Sequence, residues 1–302
     1  MSRKRRTSAI MRLLLSAIIA LFAAAVILPV TAARNCGVPN IEPELTDMNI
    51  IGGRIARPGS WPWHVGLYRK RYLHTTRWND SSQFCAGALI DQNTVVTSAH
   101  CLIYPAETIQ VHLGAHLRLT RDKGEEIIDV QHYCSYPTFN GGNVDDIGII
   151  KLKRPVTYTK TISQICLPDK NDEIRISEDE VYVTGWGHTS GYLSRQQSNE
   201  LKQVKQHIIT KEECRTMRSM NVDKVICSKH DLGSTCTGDS GGPVVLERNG
   251  HWQLQGVVSG GPPICGTPDW PMYHTELAKY RDYIDRYRAA RDPVNTPGLC
   301  KS

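Results

Sequence analysis

No stretch of the sequence repeats, none is of low complexity, and no helical period runs for any length before the C-terminus. These absences exclude a solenoid, a coiled coil and a helical bundle. Cationic charge is also scarce once its location is considered. The formal net charge is +6, yet Arg3, Lys4, Arg5, Arg6 and Arg12 precede every acidic residue, so removing Met1–Ala33 leaves +1. A nearly neutral remainder lacks the dense cationic face that nucleic acid requires, and no such partner is expected. At 302 residues the chain can still bury a sizeable core, in one large domain or two small ones.

The cationic start leads into an apolar run, Leu13 to Val30, and then into Thr31, Ala32 and Ala33. A charged n-region, an apolar h-region and a small-residue exit describe a secretory signal peptide, residues 1–33, cleaved near Ala33. The competing reading is an uncleaved signal anchor, since the run approaches the length of a membrane span. Pro29 and the Ala-rich end favour cleavage, and Met11 offers a second start with Arg12 as a minimal n-region. Ten cysteines behind such a leader read as disulfides formed in an oxidising compartment. Asn79-Asp80-Ser81 is a glycosylation sequon, placing a glycan at Asn79 if the chain is secreted.

Short β-rich runs dominate from Ile50 onward: Trp63–Tyr68, Gly87–Ile90, Thr94–Ser98, Ile109–Leu113, Glu126–Val130 and Ile147–Leu152. Val181–Thr184, Leu201–Ile209, Pro243–Leu246 and Gln253–Val258 follow, each set off by turn residues. This pattern predicts an all-β sandwich or barrel. One helix closes the chain, where Leu277, Tyr280, Ile284 and Tyr287 share a face that reads as core packing. Arg69, Lys70, Arg71 and Arg77 concentrate in the segment 68–83, by default a solvated loop.

Gly238-Asp239-Ser240-Gly241-Gly242-Pro243 carries the most chemical information. A serine hydroxyl attacks only if a base removes its proton, and the resulting oxyanion needs fixed donors. Glycines beside Ser240 let the N–H groups of Gly238 and Ser240 point at one spot. Thr97-Ser98-Ala99-His100-Cys101 supplies a base in His100, and Asp146-Ile147-Gly148-Ile149-Ile150 a carboxylate to orient it, with Asp145 as the alternative. One histidine among eleven is ordinarily a surface or core residue, and a single hexapeptide can arise by chance. Three motifs in this order, with flanking cysteines, are a far more specific signal.

Together these motifs resemble the chymotrypsin-like, trypsin-fold serine peptidases, from Cys36 to Arg291. The resemblance implies two six-stranded antiparallel Greek-key β-barrels and a C-terminal helix. Barrel 1 would span about 50–160, barrel 2 about 161–275, and the helix and tail about 276–302. By the same match, His100 is general base, Asp146 its orienting carboxylate, Ser240 nucleophile, and Ser259 the support of the aspartate. Cys85–Cys101, Cys214–Cys227 and Cys236–Cys265 match family bridges. A further bridge is missing at both ends, where Val181 and Leu246 stand. Cys36, in CGVPNIEP, resembles the start of chymotrypsinogen and implies a Cys36–Cys166 bridge. Cys134 and Cys300 remain and are expected to pair.

Ile50-Ile51-Gly52-Gly53 resembles the mature N-terminus of the family, making residues 34–49 a propeptide and 50–302 the peptidase. Cleavage after Asn49 would free an ammonium on Ile50 to pair with Asp239, whose buried charge would otherwise cost several kcal/mol. Family zymogens mostly carry Arg or Lys where Asn49 stands, so the expected activator is an asparagine-specific or otherwise non-tryptic protease. Pairing should raise the α-amine above its ordinary value near pH 8, so activity should fall in alkali.

Ser234 matches the floor of the primary specificity pocket, where trypsin-like members carry Asp, so apolar rather than basic residues should be bound. Thr235 narrows the pocket and Gly261 leaves one wall open. If Met272 replaces a lining glycine the pocket is shallow and elastase-like; otherwise aromatic or Leu side chains fit, the favoured reading. Gly260 replaces the tryptophan usual beside the substrate backbone. Ala115 stands where calcium-binding relatives carry a carboxylate. The expectation is a secreted monomeric endopeptidase with no cofactor or metal. Its partners would be protein or peptide substrates, the activating protease and proteinaceous inhibitors. The rival reading is a catalytically silent binding homologue, although such proteins usually lose a triad member.

Overall fold

Apolar and β-branched residues in short runs form strands because alternate side chains reach one buried face. The computed structural model describes residues 35–45, 53–70, 83–176, 178–190, 194–217, 221–229, 238–262, 267 and 270–301. The chain divides into two units, Met1–Asn35 and Cys36–Ser302, and apart from Asn35 the described residues belong to the second. The leader, Asn49, Ile50, Asn79, Ser234, Thr235 and the Cys236–Cys265 pair lie outside the described residues.

A short β1 (Arg54–Ile55) precedes six strands: β2 (His64–Arg69), β3 (Gln83–Asp91), β4 (Thr94–Thr97), β5 (Ile109–Leu113), β6 (Glu126–Ser135) and β7 (Gly148–Leu152). These six close into a barrel in the order β2-β3-β4-β7-β6-β5, each pair antiparallel. Its interior is aliphatic, with Val65, Leu67, Leu89, Val111, Leu113 and Ile149 fully buried. Next come β8 (Glu180–Gly185), the hairpin β9 (His188–Ser190) and β10 (Ser194–Gln197), and β11 (Lys202–Ile209). Helix α1 (Lys211–Met217) leads to β12 (Val225–Lys229), β13 (Pro243–Arg248), β14 (His251–Gly260) and β15 (Met272–Glu276). The order β11-β12-β15-β14-β13-β8 closes where β8 pairs back on β11, and β1 adds to the outside of β11. The fold is therefore two closed six-stranded antiparallel barrels, as the resemblance implied.

Inside the second barrel Val181 and Leu246 belong to one apolar cluster with Val183, Val244 and Val258. Aliphatic packing thus occupies the positions of the missing bridge. The same interior holds a buried polar trio. Ser228 donates to Gln206 Oε1 at 2.7 Å and lies 2.8 Å from His274 Nε2. Burial without a counter-charge drives His274 down to a pKa of about 3, so it is neutral in the fold.

The chain ends in a 3-10 turn, Leu277–Tyr280, running into α2 (Arg281–Ala289). Leu277, Tyr280, Ile284 and Tyr287 are all buried, so the periodic stripe is core. Four disulfides join the described residues: Cys36–Cys166, Cys85–Cys101, Cys134–Cys300 and Cys214–Cys227. The third fastens the tail to β6, beside the hydroxyl of Tyr283 on α2, which donates to the Cys134 carbonyl at 3.0 Å. The first holds residues 36–45 against the body. Around it, Trp252 N donates to the Gly37 carbonyl at 2.7 Å, and Gln203 Nε2 donates to that of Glu44 at 2.8 Å. Bridges of this number fit an oxidising, extracellular setting.

Candidate active site

β4 ends at Thr97, and the 3-10 turn Ala99–Cys101 carries His100 off the rim of the first barrel. The turn is fixed by the Cys85–Cys101 disulfide and by Ser98, whose hydroxyl donates to the Val258 carbonyl at 2.8 Å. Just before β7, Asp146 is 1% exposed and points at the same turn. Its Oδ2 lies 2.7 Å from His100 Nδ1, and its Oδ1 accepts the His100 backbone N–H at 2.9 Å. Ser259, from β14, donates to Oδ2 at 2.6 Å. Three donors therefore fix the carboxylate, and the carboxylate fixes the imidazole with its proton on Nδ1 and Nε2 available as an acceptor.

The choice between Asp145 and Asp146 is decided by direction. Asp145 adopts φ 60° and turns its side chain away, toward Lys224 at 2.8 Å, the Tyr280 hydroxyl at 2.9 Å, and Thr138. Burial pushes its carboxyl up, but hydrogen bonds from Lys224, Thr138 and Tyr280 outweigh that and leave it below the ordinary range. Asp146 is further pinned through its carbonyl, which accepts from Thr275 Oγ1 on β15 at 2.7 Å. A residue of the first barrel is thus held by Ser259 and Thr275 of the second.

Ser240 is half-buried, in the turn that enters β13. Ala86 N donates to its carbonyl at 2.8 Å, and Gly241 N donates at 2.7 Å to the same Val258 carbonyl that receives Ser98. The segments carrying Ser240 and His100 are consequently docked on one acceptor. Next to Ser240, Asp239 is buried and accepts from Gly187 N at 2.7 Å. A Cβ on Gly185 or Gly187 would collide with this carboxylate, so only glycine allows its approach. Asp239 lines a small cleft of about 20 Å³ together with Gly53, Gly185, Gly187 and Lys202.

Of the expected substrate-binding residues Ser234, Thr235, Ser259, Gly261 and Met272, the last three are described. Met272 is buried in β15, and a Cβ at 261 would collide with its Sδ and Cε. The thioether therefore packs where a side chain at 261 would stand. Cys85, His100 and Cys101 cluster closely enough to suggest a metal site, but the disulfide removes both thiolates. Sequence reasoning missed Gln83 and Gln197, whose amides reach Gly238, as well as Thr275, Lys224 and Tyr280. None of them belongs to a short motif.

Residues 50–284 match the trypsin family model, a span that contains both barrels, the His100–Asp146 pair and the Ser240 turn. A match over most of the chain places it, as a serine endopeptidase, in the trypsin family.

Proposed function

We propose that the protein is a secreted zymogen, cut after Asn49, that hydrolyses peptide bonds after apolar residues through His100, Asp146 and Ser240. The observation that carries this reading is the buried Asp146 carboxylate, bonded at once to His100 Nδ1, His100 N and Ser259. With Nδ1 so occupied, His100 Nε2 takes the proton of Ser240 Oγ as that oxygen bonds to the scissile carbonyl carbon. Negative charge then builds on the carbonyl oxygen, which the N–H groups of Gly238 and Ser240 stabilise. His100 returns the proton to the leaving amine, the C–N bond breaks, and an acyl-enzyme remains. Water, deprotonated by the same imidazole, releases the acid and restores Ser240. A fluorophosphonate probe on processed protein tests this. Labelling that vanishes in Ser240→Ala is expected, and no labelling after confirmed cleavage would favour the silent binding homologue.

Activation follows from Asp239. The cleft it lines also contains Gly53, only three residues after Ile50, within the reach of a short extended segment. An ammonium on Ile50 entering there would meet a buried carboxylate and stabilise the turn bearing Gly238 and Ser240. Cys36–Cys166 would keep the propeptide attached after the cut. An asparagine-specific endopeptidase should generate the Ile50 terminus, whereas trypsin should not; efficient production by trypsin would reject the non-tryptic activator.

For the pocket, the Met272–Gly261 contact favours the small-residue alternative over the aromatic or Leu preference expected from the sequence. A cleavage profile over a peptide library, peaking at Ala or Val rather than Phe or Leu, is the expected result.

A further inference from the structure

The Gly238–Ser240 turn belongs to the second barrel, yet β3 of the first barrel holds its backbone at both ends. At one end Ala86 N donates to the Ser240 carbonyl at 2.8 Å. At the other, Gln83 Nε2 donates to the Gly238 carbonyl at 2.9 Å. The second N–H of the same amide goes to the Cys85 carbonyl at 2.9 Å, and Gln197 Nε2 donates to Gln83 Oε1 at 2.7 Å. Gln83 is 3% exposed, and both N–H groups and the oxygen of its carboxamide are in use. A buried amide bonded at every position has one orientation.

Gly238 needs such a restraint. At φ 103° it sits where glycine alone is comfortable, and glycine also samples many other conformations. It has no side chain with which to hold itself, and a Cβ there would overlap Gln197 Nε2. Rotation of the Gly238–Asp239 peptide would cost the Gln83 bond and leave a buried amide hydrogen unsatisfied.

We propose that Gln83 and Gln197 form a two-amide relay that positions the oxyanion hole, with Gln83 the positioning residue that fixes Gly238 and Gln197 the residue that fixes Gln83. The relay is made of two neutral carboxamides and adds no titratable group of its own. It rests on reading Ser240 as the nucleophile and Gly238 as an oxyanion donor.

The test compares processed wild type, Gln83→Leu and Gln197→Leu in hydrolysis of a peptide p-nitroanilide. Inhibition constants are measured for a peptide ending in alaninal, whose hemiacetal oxygen occupies the hole, and for the matching product peptide, which does not form one. Gln83→Leu should lower kcat about tenfold with KM within about twofold, less than the loss of a whole oxyanion donor because Gly238 N–H remains. The aldehyde should weaken by the same factor and the product peptide should be unchanged. Gln197→Leu should show the same pattern at about threefold; it is only half-buried and serves as the second variant should Gln83→Leu fold poorly. Unchanged kcat in both folded variants, or a loss shared equally by aldehyde and product peptide, overturns the relay. If the processed wild type itself shows no Ser240-dependent labelling, the catalytic reading falls, and the relay with it.

Discussion

Asp146 gathers its partners from three places: the turn bearing His100, Ser259 on β14 and Thr275 on β15. Removing one donor from a buried carboxylate should weaken the arrangement without destroying it. Ser259→Ala is expected to lower kcat about tenfold, the equivalent of roughly 1–2 kcal/mol for one charge-assisted hydrogen bond. Stopped-flow or steady-state rates on a peptide amide measure this; an unchanged kcat would show that Asp146 keeps its working position without Ser259. At the pocket, Met272→Ala should raise the ratio of kcat/KM for Phe over Ala at P1 by about tenfold or more, because the side chain lying over Gly261 is withdrawn. The substitution also empties a buried site, so a loss of about 2 kcal/mol in stability should accompany it. The residues that were legible in sequence are those whose chemistry demands a local motif, such as Ser240 between glycines. Gln83, Gln197 and Thr275 escaped because a single amide or hydroxyl acquires its role only from what folds against it.

Among the elements, most strands were readable, since runs such as Ile109–Leu113 alternate within an aliphatic interior. The short β1, β9 and β10 were not, nor were β12 and β15, although the last two are in the second barrel. VICSK and MYHTE interleave polar residues that here point inward: Ser228 and His274 form part of the buried trio with Gln206. Helix α1 is only seven residues long and gives too short a period to detect. At the chain end, α2 and the tail are secured jointly by the stripe Tyr280, Ile284 and Tyr287 and by Cys134–Cys300. Lys301 N also donates to the Ser135 carbonyl at 2.9 Å, extending the tail along β6. Replacing both cysteines by serine should cost about 2–4 kcal/mol, read as a lower denaturant midpoint, with little change in kcat. A large fall in kcat with an unaltered midpoint would contradict a purely fastening role.

At the scale of the molecule, stability should depend on acid in a direction set by buried groups. His64 and His274 are each driven by burial from an ordinary pKa of 6.5 to about 3. Unfolding lets both take up protons, so stability is full above about pH 6.5 and is lost as the pH falls toward 3. Each can contribute a slope of up to about 1.4 kcal/mol per pH unit in that window. Asp145 and Asp179, held below the usual 3.8 by their partners despite the opposing effect of burial, add further loss at the acid end. Urea midpoints measured from pH 7 to 4 should decline steadily, and His64→Gln should decline less steeply; a flat profile would contradict the buried neutral imidazoles. The sequence by itself determined the alternation of most strands and the order of three candidate motifs, bearing His100, the adjacent Asp145 and Asp146, and Ser240. These follow from local chemistry, because a base, a carboxylate and a glycine-flanked hydroxyl must each sit in a suitable short context. Only the tertiary structure decided which of two adjacent aspartates faces His100, that the Met272 thioether packs on Gly261, and that the Gln83 amide on β3 meets both the Gly238 carbonyl and the Gln197 amide on β10. Those outcomes depend on where two separately closed barrels bring their rims together, and no stretch of contiguous residues encodes that meeting.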